Sequence, residues 1–436
     1  MKKRRIGVAV LAVLAVALSG CTGTQAGSGD RTISFMGWGS DEEIATFKTM
    51  IEHFEQANPG VKVDYTTVPA ADFSTKLQTM IASKKTPDVF YLAPENVMPF
   101  ADAGIITDLS SYLDNSSLVD VSDVWPKALD MYRYDGSTPG EGAIYGVPKD
   151  ISAFGLAYNK DLFAQAGITA PTDDNPWTWD DYREAARKLT SGSGPDKVYG
   201  SGSYSLESAV WSNGADWLND DHTKVTVTDP KFVEALQFVA DLNLKDGSVP
   251  SPAEQTSQPD YDRFVAGKEA MTGVGSWAQG SLNADTNFEW DIMPWPVSPD
   301  SGTEAIWYGG IGLAVSTASK HVDDASNLAA FLAFNEDAQR TNIERGQAIP
   351  NLKSLAESEY LTSSAQPENK AEFIRIIDGY GRRATQTYTY NSEWFTLFNS
   401  NLPKVWNGEQ SAEDYTQSVQ AEMQQQLDDG IAQQKK

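Results

Sequence analysis

The chain of 436 residues contains a single cysteine, Cys21. No intramolecular disulfide can form, so the fold must rest on packing alone. Histidine is nearly as scarce, and His53, His222 and His321 stand far apart without metal-ligand spacing. A Walker phosphate loop, a Gly-x-Gly-x-x-Gly dinucleotide turn and a Gly-x-Ser-x-Gly nucleophile elbow are all missing. Asp173-Asp174 and Asp180-Asp181 lack the glycine and glutamate of an EF-hand loop and read as caps and solvated turns. No cofactor, metal or catalytic group is therefore expected. Positive charge is also in short supply, with 34 Lys+Arg against 60 Asp+Glu. The first 20 residues carry four of the cations and no acid, which leaves 30 against 60 beyond them and a net charge near −30. Such a surface repels nucleic acid and anionic lipid.

An apolar run from Ile6 to Leu18 follows Lys2, Lys3, Arg4 and Arg5, and is too short for a comfortable membrane span. A basic start, a short apolar stretch and small residues at its end form the layout of a signal peptide. Leu18-Ser-Gly-Cys21 resembles a bacterial lipobox, which implies that residues 1–20 are removed and Cys21 becomes the lipidated first residue. One acyl chain anchors a protein only marginally, so the multiply acylated cysteine implied by a lipobox is needed. Residues 21–30 would be a flexible tether, leaving the remainder on the extracellular face of the cell membrane.

The chain is rich in core formers, with 40% hydrophobic and 11% aromatic residues. A mature length of roughly 410 residues exceeds what one core serves, so two or more lobes are expected. Twelve Trp and seventeen Tyr supply faces on which neutral, hydroxyl-rich ligands such as sugars stack, although most rings should be core. Strand 31–36, helix 42–58, strand 61–66, helix 72–84 and strand 88–92 come in order, a βαβ pattern that argues for a parallel sheet. Residues 104–147 are irregular and rich in Gly, Pro and Asp. A strand at 151–158, helices at 179–189 and 230–244 and a strand at 269–275 come next. The opening βα pattern resumes at 311–315 and 322–334, and the Gln-rich segment 417–435 reads as a solvated final helix with a frayed tip.

Several stretches in this order resemble the extracellular solute-binding proteins of ABC importers, in the carbohydrate-binding family related to maltose-binding protein. They are Ile33-Ser-Phe-Met-Gly-Trp38, Thr86-Pro-Asp-Val-Phe-Tyr91, and Tyr145-Gly-Val-Pro-Lys-Asp150 with Leu156-Ala-Tyr-Asn-Lys-Asp-Leu-Phe163. Further along come Pro176-Trp-Thr-Trp179, Phe264 to Met271 with Gly275-Ser-Trp277, Tyr308-Gly-Gly-Ile-Gly312 and Arg345-Gly-Gln-Ala-Ile-Pro350. The resemblance implies an α/β, two-lobed type II periplasmic-binding-protein fold with hinge crossings between lobes. The N-terminal lobe would comprise 31–149 plus 306–355, and the C-terminal lobe 150–305 plus 356–436. Ligands of such folds sit between the lobes, at the carboxyl ends of strands.

On that placement Trp38, in a Gly-Trp-Gly turn after the first strand, and Trp277, where the family commonly stacks a sugar ring, are ligand-binding candidates. Glu95 and Asp150 resemble the family's carboxylate acceptors for hydroxyl groups. Trp211 and Asn213 lie in a second-lobe region that often reaches the sugar, Tyr308 lies at the second crossing, and Glu393 and Trp394 complete the set. Asp88 reads as a structural cap, Arg345 as the support of the Gly346 turn, and Trp125, Trp177, Trp179, Trp290 and Trp295 as packing or surface residues. The implied protein is a monomeric lipoprotein that captures a carbohydrate, in particular an oligosaccharide, and delivers it to ABC permease transmembrane subunits. On sequence alone a secreted glycoside hydrolase, a binder of a non-sugar solute such as a polyamine, and a structural surface lipoprotein remain open.

Overall fold

The computed structural model describes residues 31–116 and 118–435, so Cys21 and the signal-peptide and tether assignments lie outside the described residues. Arg31–Gly37 (β1) buries Ile33, Phe35 and Met36. The helix Asp41–Ala57 starts where Ser40 accepts from the Glu43 amide, with three acidic residues in its electropositive first turn. It buries Phe47, Met50, Ile51 and Phe54 at three- and four-residue spacing and stops at Asn58. Val61–Thr67 (β2) runs parallel to β1, with Phe35 stacked on Tyr65 at 4.6 Å. The helix Ala70–Ala82 leads to Val89–Leu92 (β3), buried throughout and parallel to β1 on its other side.

The stretch expected to be irregular contains short helices, Ser110–Asn115 and Pro126–Asp130, and a small hairpin of Arg133–Tyr134 (β4) and Ala143–Ile144 (β5). Val147–Pro148 (β6), Ser152–Asn159 (β7), Met271–Gly275 (β8), Trp290–Met293 (β9), Ile306–Gly309 (β10), Gly312–Val315 (β11) and Gly381–Arg383 (β12) complete the strands among the described residues. They form two five-stranded sheets, one per lobe. The first has the order β2-β1-β3-β11-β6; the second is β12-β10-β7-β8 with β9 paired to β7. The parallel pairing inferred from the opening βαβ units holds for β1, β2 and β3, whereas β11 lies antiparallel to both β3 and β6.

Two chain crossings run side by side between the sheets. One joins Pro148 to Ser152, the other joins Gly309 to Gly312, and the Lys149 amide donates to the Ile311 carbonyl at 2.8 Å. The second crossing comes a few residues later than expected, because Ile306–Gly309 pairs with β7 and β12 of the second sheet. Asn351, fully buried, steadies the junction by donating Nδ2 to the Pro148 carbonyl at 2.8 Å and the Ala333 carbonyl at 3.0 Å.

The final helix, Ala412–Gln434, is not the solvated end expected from its glutamines. Ala412, Tyr415, Thr416, Val419, Met423, Leu427 and Gly430 form a buried stripe at helical spacing. Its last turn reaches back to the first lobe, where Gln434 Nε2 donates to the Ser137 carbonyl at 2.7 Å.

Asp88, read as a cap, ties the first sheet together. Its carboxylate accepts from the Ser34 amide at 2.8 Å, from Ser34 Oγ at 2.6 Å and from Ser319 Oγ at 2.6 Å. Burial alone would raise this carboxyl, but the Ser319 and Ser34 bonds outweigh it and hold it below the usual aspartate value. The resulting stabilisation is present above the unfolded value and lost as pH falls through the lower folded one. Asp88→Asn is expected to cost about 1.5–3 kcal/mol at neutral pH. In urea unfolding, its deficit against the native chain should narrow as pH drops below about 4.

Candidate functional site

The crossings form the floor of a cleft of about 780 Å³ between the lobes. Its first-lobe wall comes from the turn after β1 and the start of the helix Asp41–Ala57: Trp38, Glu42 and Glu43. Its second-lobe wall carries Tyr261, Trp277, Ser281, Asp285 and Trp307, with Lys149, Asp150, Ser152 and Gln347 between them.

The apolar side of the cleft is a ladder of rings. Trp277 follows β8 by two residues, and a Cβ at Gly275 would stand 2.2 Å from its indole, so the missing side chain makes room for the ring. Trp277 stacks on Trp307 at 5.9 Å, Trp307 on Phe154 at 4.9 Å, and Phe154 on the buried Trp295 at 5.9 Å. The outermost ring of the four is the most open, with Trp277 39% exposed, while Trp307 and Phe154 are half-buried and Trp295 is buried. Opposite, half-buried Trp38 sets its edge against Tyr91 and Phe73, with centroids 4.9 Å and 4.5 Å away.

The polar floor is an ion cluster. Lys149 Nζ lies 2.5 Å from Glu43 Oε1 and 2.5 Å from Asp150 Oδ2, and all three residues are buried. Burial works against the ammonium charge, but Asp150 and Glu43 outweigh it and lift Lys149 above the ordinary lysine value. Asp150 Oδ1 also accepts from Ser152 Oγ at 3.2 Å. At the rim Tyr261 donates to Asp285 at 3.1 Å. Gln347 Nε2 donates to the Trp277 carbonyl at 3.2 Å, which pins the platform from the crossing side. Such a cleft can stack an apolar ligand face on indole while carboxylates accept its hydroxyls.

Of the candidates from sequence, the structure brings Trp38, Asp150 and Trp277 together in this cleft. Glu95 lies in the turn Pro94–Asn96, in a side chamber of about 150 Å³ that it shares with Trp38. Burial raises its carboxyl, with Arg383 pulling the other way. Tyr308 sits on the opposite face of β10 from Trp307, buried beneath Lys127 Nζ at 5.1 Å, and does not line the cleft.

Four candidates belong to the second-lobe fabric instead. Trp211 is buried, with the Arg382 guanidinium over it at 4.9 Å and Trp217 edge-on at 6.1 Å. Asn213 caps the helix Leu206–Ser212, and its amide bonds Lys231, Glu234 and Ser298. Trp394 is fully buried and donates to Thr389 Oγ1 at 3.0 Å, while Glu393 is exposed in the first turn of its helix. An indole in sequence carries no mark of which side it faces, and tertiary packing claimed these. Trp307, Glu43, Lys149, Tyr261 and Asp285 were not singled out from sequence. In the strand Ile306–Gly309 successive side chains face opposite ways, so Trp307 reaches the cleft while Tyr308 turns from it. Among the described residues, no group of three or more His, Cys, Asp or Glu is arranged to hold a metal ion.

Two α/β lobes joined by paired crossings, with an indole platform and an acidic floor in the gap, define a two-lobed solute-binding protein of the type II periplasmic class. A family model described as bacterial extracellular solute-binding protein matches residues 38–339, and the chain belongs to that family. The multiple sugar-binding protein of Streptococcus mutans is 23% identical over 390 residues, 85% of this chain and 87% of its own length. The maltotriose-binding protein of Pyrococcus abyssi is 23% identical over 381 residues, 85% of this chain and 74% of its own. Among solved structures, an ABC substrate-binding protein from Listeria monocytogenes in complex with cycloalternan is similar with a TM-score of 0.81. The two are 28% identical, and the match covers 91% of this chain and 99% of that one.

Gly275→Val is expected to drive the Trp277 indole off β8 and uncouple it from Trp307, at a cost of about 1–3 kcal/mol. Near-ultraviolet circular dichroism should then change as it does in Trp277→Ala. An unchanged spectrum would mean the ring has another resting place.

Proposed function

We propose that this chain is the extracellular receptor of an ABC importer, capturing an oligosaccharide between its lobes and delivering it to the permease subunits. The observation that carries this is the exposed Trp277 face at the end of a core-rooted ring ladder, opposite buried carboxylates in one interlobe cleft. The relatives named for multiple sugars and maltotriose and the neighbour holding cycloalternan support the carbohydrate class and make α-glucans the first to test. The ligand would be held by stacking on Trp277 and Trp38, with hydroxyls donating to Asp150, Glu43 and, from the side chamber, Glu95. The lobes would close about the paired crossings, and the protein would work as a monomer without a cofactor.

It is not, on this proposal, an enzyme. A glycoside hydrolase needs a protonated acid facing a second carboxylate, whereas both floor carboxylates contact one ammonium. The acidic rim of Glu42 and Asp285 keeps a polyamine as the second ligand class to assay.

Calorimetric titration against a glycan panel that includes maltotriose and cycloalternan should yield saturable binding without release of reducing sugar. Trp277→Ala should weaken it at least about tenfold, since ring stacking is worth about 1 kcal/mol or more. Reducing-sugar release would replace the receptor by a hydrolase, and binding of spermidine with no glycan response would replace the ligand class.

The anchor is proposed at Cys21. In whole cells Cys21→Ser should move the protein from the membrane pellet to the soluble fraction, and retention in the pellet would refute lipidation there.

A further inference from the structure

Lys149 was not among the residues that sequence marked as binding, yet it occupies the centre of the cleft floor. Its ammonium touches Glu43 from the first lobe and Asp150 from the crossing, each at 2.5 Å, and it lies over the Phe47 and Tyr91 rings. Among the described residues, Lys149 is the one cationic side chain lining the cleft, against Glu42, Glu43, Asp150 and Asp285. Two buried carboxylates so close together cannot both keep their charge without a cation between them. An ionised carboxylate only accepts hydrogen bonds, whereas a protonated one donates.

We propose that Lys149 is a positioning residue for ligand binding: its ammonium holds Glu43 and Asp150 side by side as charged acceptors and thereby sets a preference for ligands that donate hydroxyl hydrogens. This rests on the cleft being the binding site for a polyhydroxyl compound. With Lys149 present, one ammonium lies against both carboxylates, so the floor offers two acceptors side by side. Without it, one of the pair takes up a proton and turns from acceptor to donor.

The groups facing the pair are Tyr65 from β2 and Tyr91 from β3 beside Glu43, Tyr132 near Asp150, Ser152 on Asp150, and Glu42 one residue away. Burial pushes Tyr65 up to about 12 and raises Tyr91 and Tyr132 well above the usual tyrosine value, so no phenol titrates near neutrality.

The test uses the full chain and the variants K149M, K149R and E43Q, with maltotriose and cycloalternan as titrants between about pH 5 and about pH 8. The native chain should show a flat affinity profile. K149M should bind about tenfold more weakly at pH 8, and acidification should move its affinity further. K149R should restore a flat profile. E43Q, which leaves a neutral Lys149–Asp150 pair, should lose affinity about tenfold while staying flat, and it keeps the test available if K149M does not fold. Native affinity in E43Q overturns the proposal, as does a folded K149M with a flat profile.

A ligand-free arm separates this inference from the function it rests on. Infrared difference spectra of ligand-free K149M at neutral pH should show a protonated-carboxyl carbonyl band that the native chain lacks and that D150N removes from K149M. If neither glycan binds the native chain, the carbohydrate assignment falls while this arm still decides whether Lys149 holds the pair charged. Absence of the band in folded K149M overturns the proposal.

Discussion

Gly310 lies so close to the Asp150 carbonyl that a Cβ there would stand 2.4 Å from the oxygen. That contact, with the Lys149 amide bond to Ile311, brings two crossings within one peptide spacing of each other. Everything on the cleft floor descends from it. Two strands leaving one sheet for another side by side must project the residues between them into the gap. Lys149, Asp150, Gly310 and Ile311 are those residues. Any side chain at 310 would wedge the crossings apart and carry Asp150 out of reach of its partners. Asn351 reinforces the junction from beneath, since its amide bridges the carbonyl before the first crossing and the end of the helix Val322–Phe334.

Local structure was largely legible because it depends on neighbours in sequence. Thr178 and Asp181 form a reciprocal capping box for the helix Trp179–Leu189, and Asp229 and Pro230 start the helix Pro230–Leu244, where short-range chemistry says they should. The two-lobed fold came from the family resemblance of motifs spread along the chain, with chain length pointing the same way. The site was legible only in part. Trp38 and Trp277 stand close to glycines in the chain, and at Gly275 the missing Cβ makes room for the Trp277 ring. Trp211 stands near Gly214 in the same way and Trp394 has no such glycine, yet the second lobe's core claimed both. Glu43 and Lys149 are 106 positions apart, and nothing in either neighbourhood announces that they meet.

The electrostatics of cleft and chain agree in sign. A net charge of −26 keeps the surface anionic, and the cationic residue lining the cleft is committed to two carboxylates. An anionic solute meets repulsion on approach and, among the described residues of the cleft, no uncommitted cation on arrival, while a neutral polyol meets neither obstacle. Charge therefore narrows the choice of solute before shape does.

The ring ladder has one more consequence, for how such a solute-binding protein can diversify. Trp307, Phe154 and Trp295 belong to the second lobe's sheet and its core edge, whereas Trp277 stands on a short turn beyond β8. Exchanging the outermost ring for a smaller one would expose more of Trp307, which already lines the cleft, without opening the hydrophobic interior. Descendants of this chain could thus acquire a deeper or shallower stacking surface through a single substitution. Folding stability would register little of the change, because the exchanged ring is the most exposed rung of the ladder.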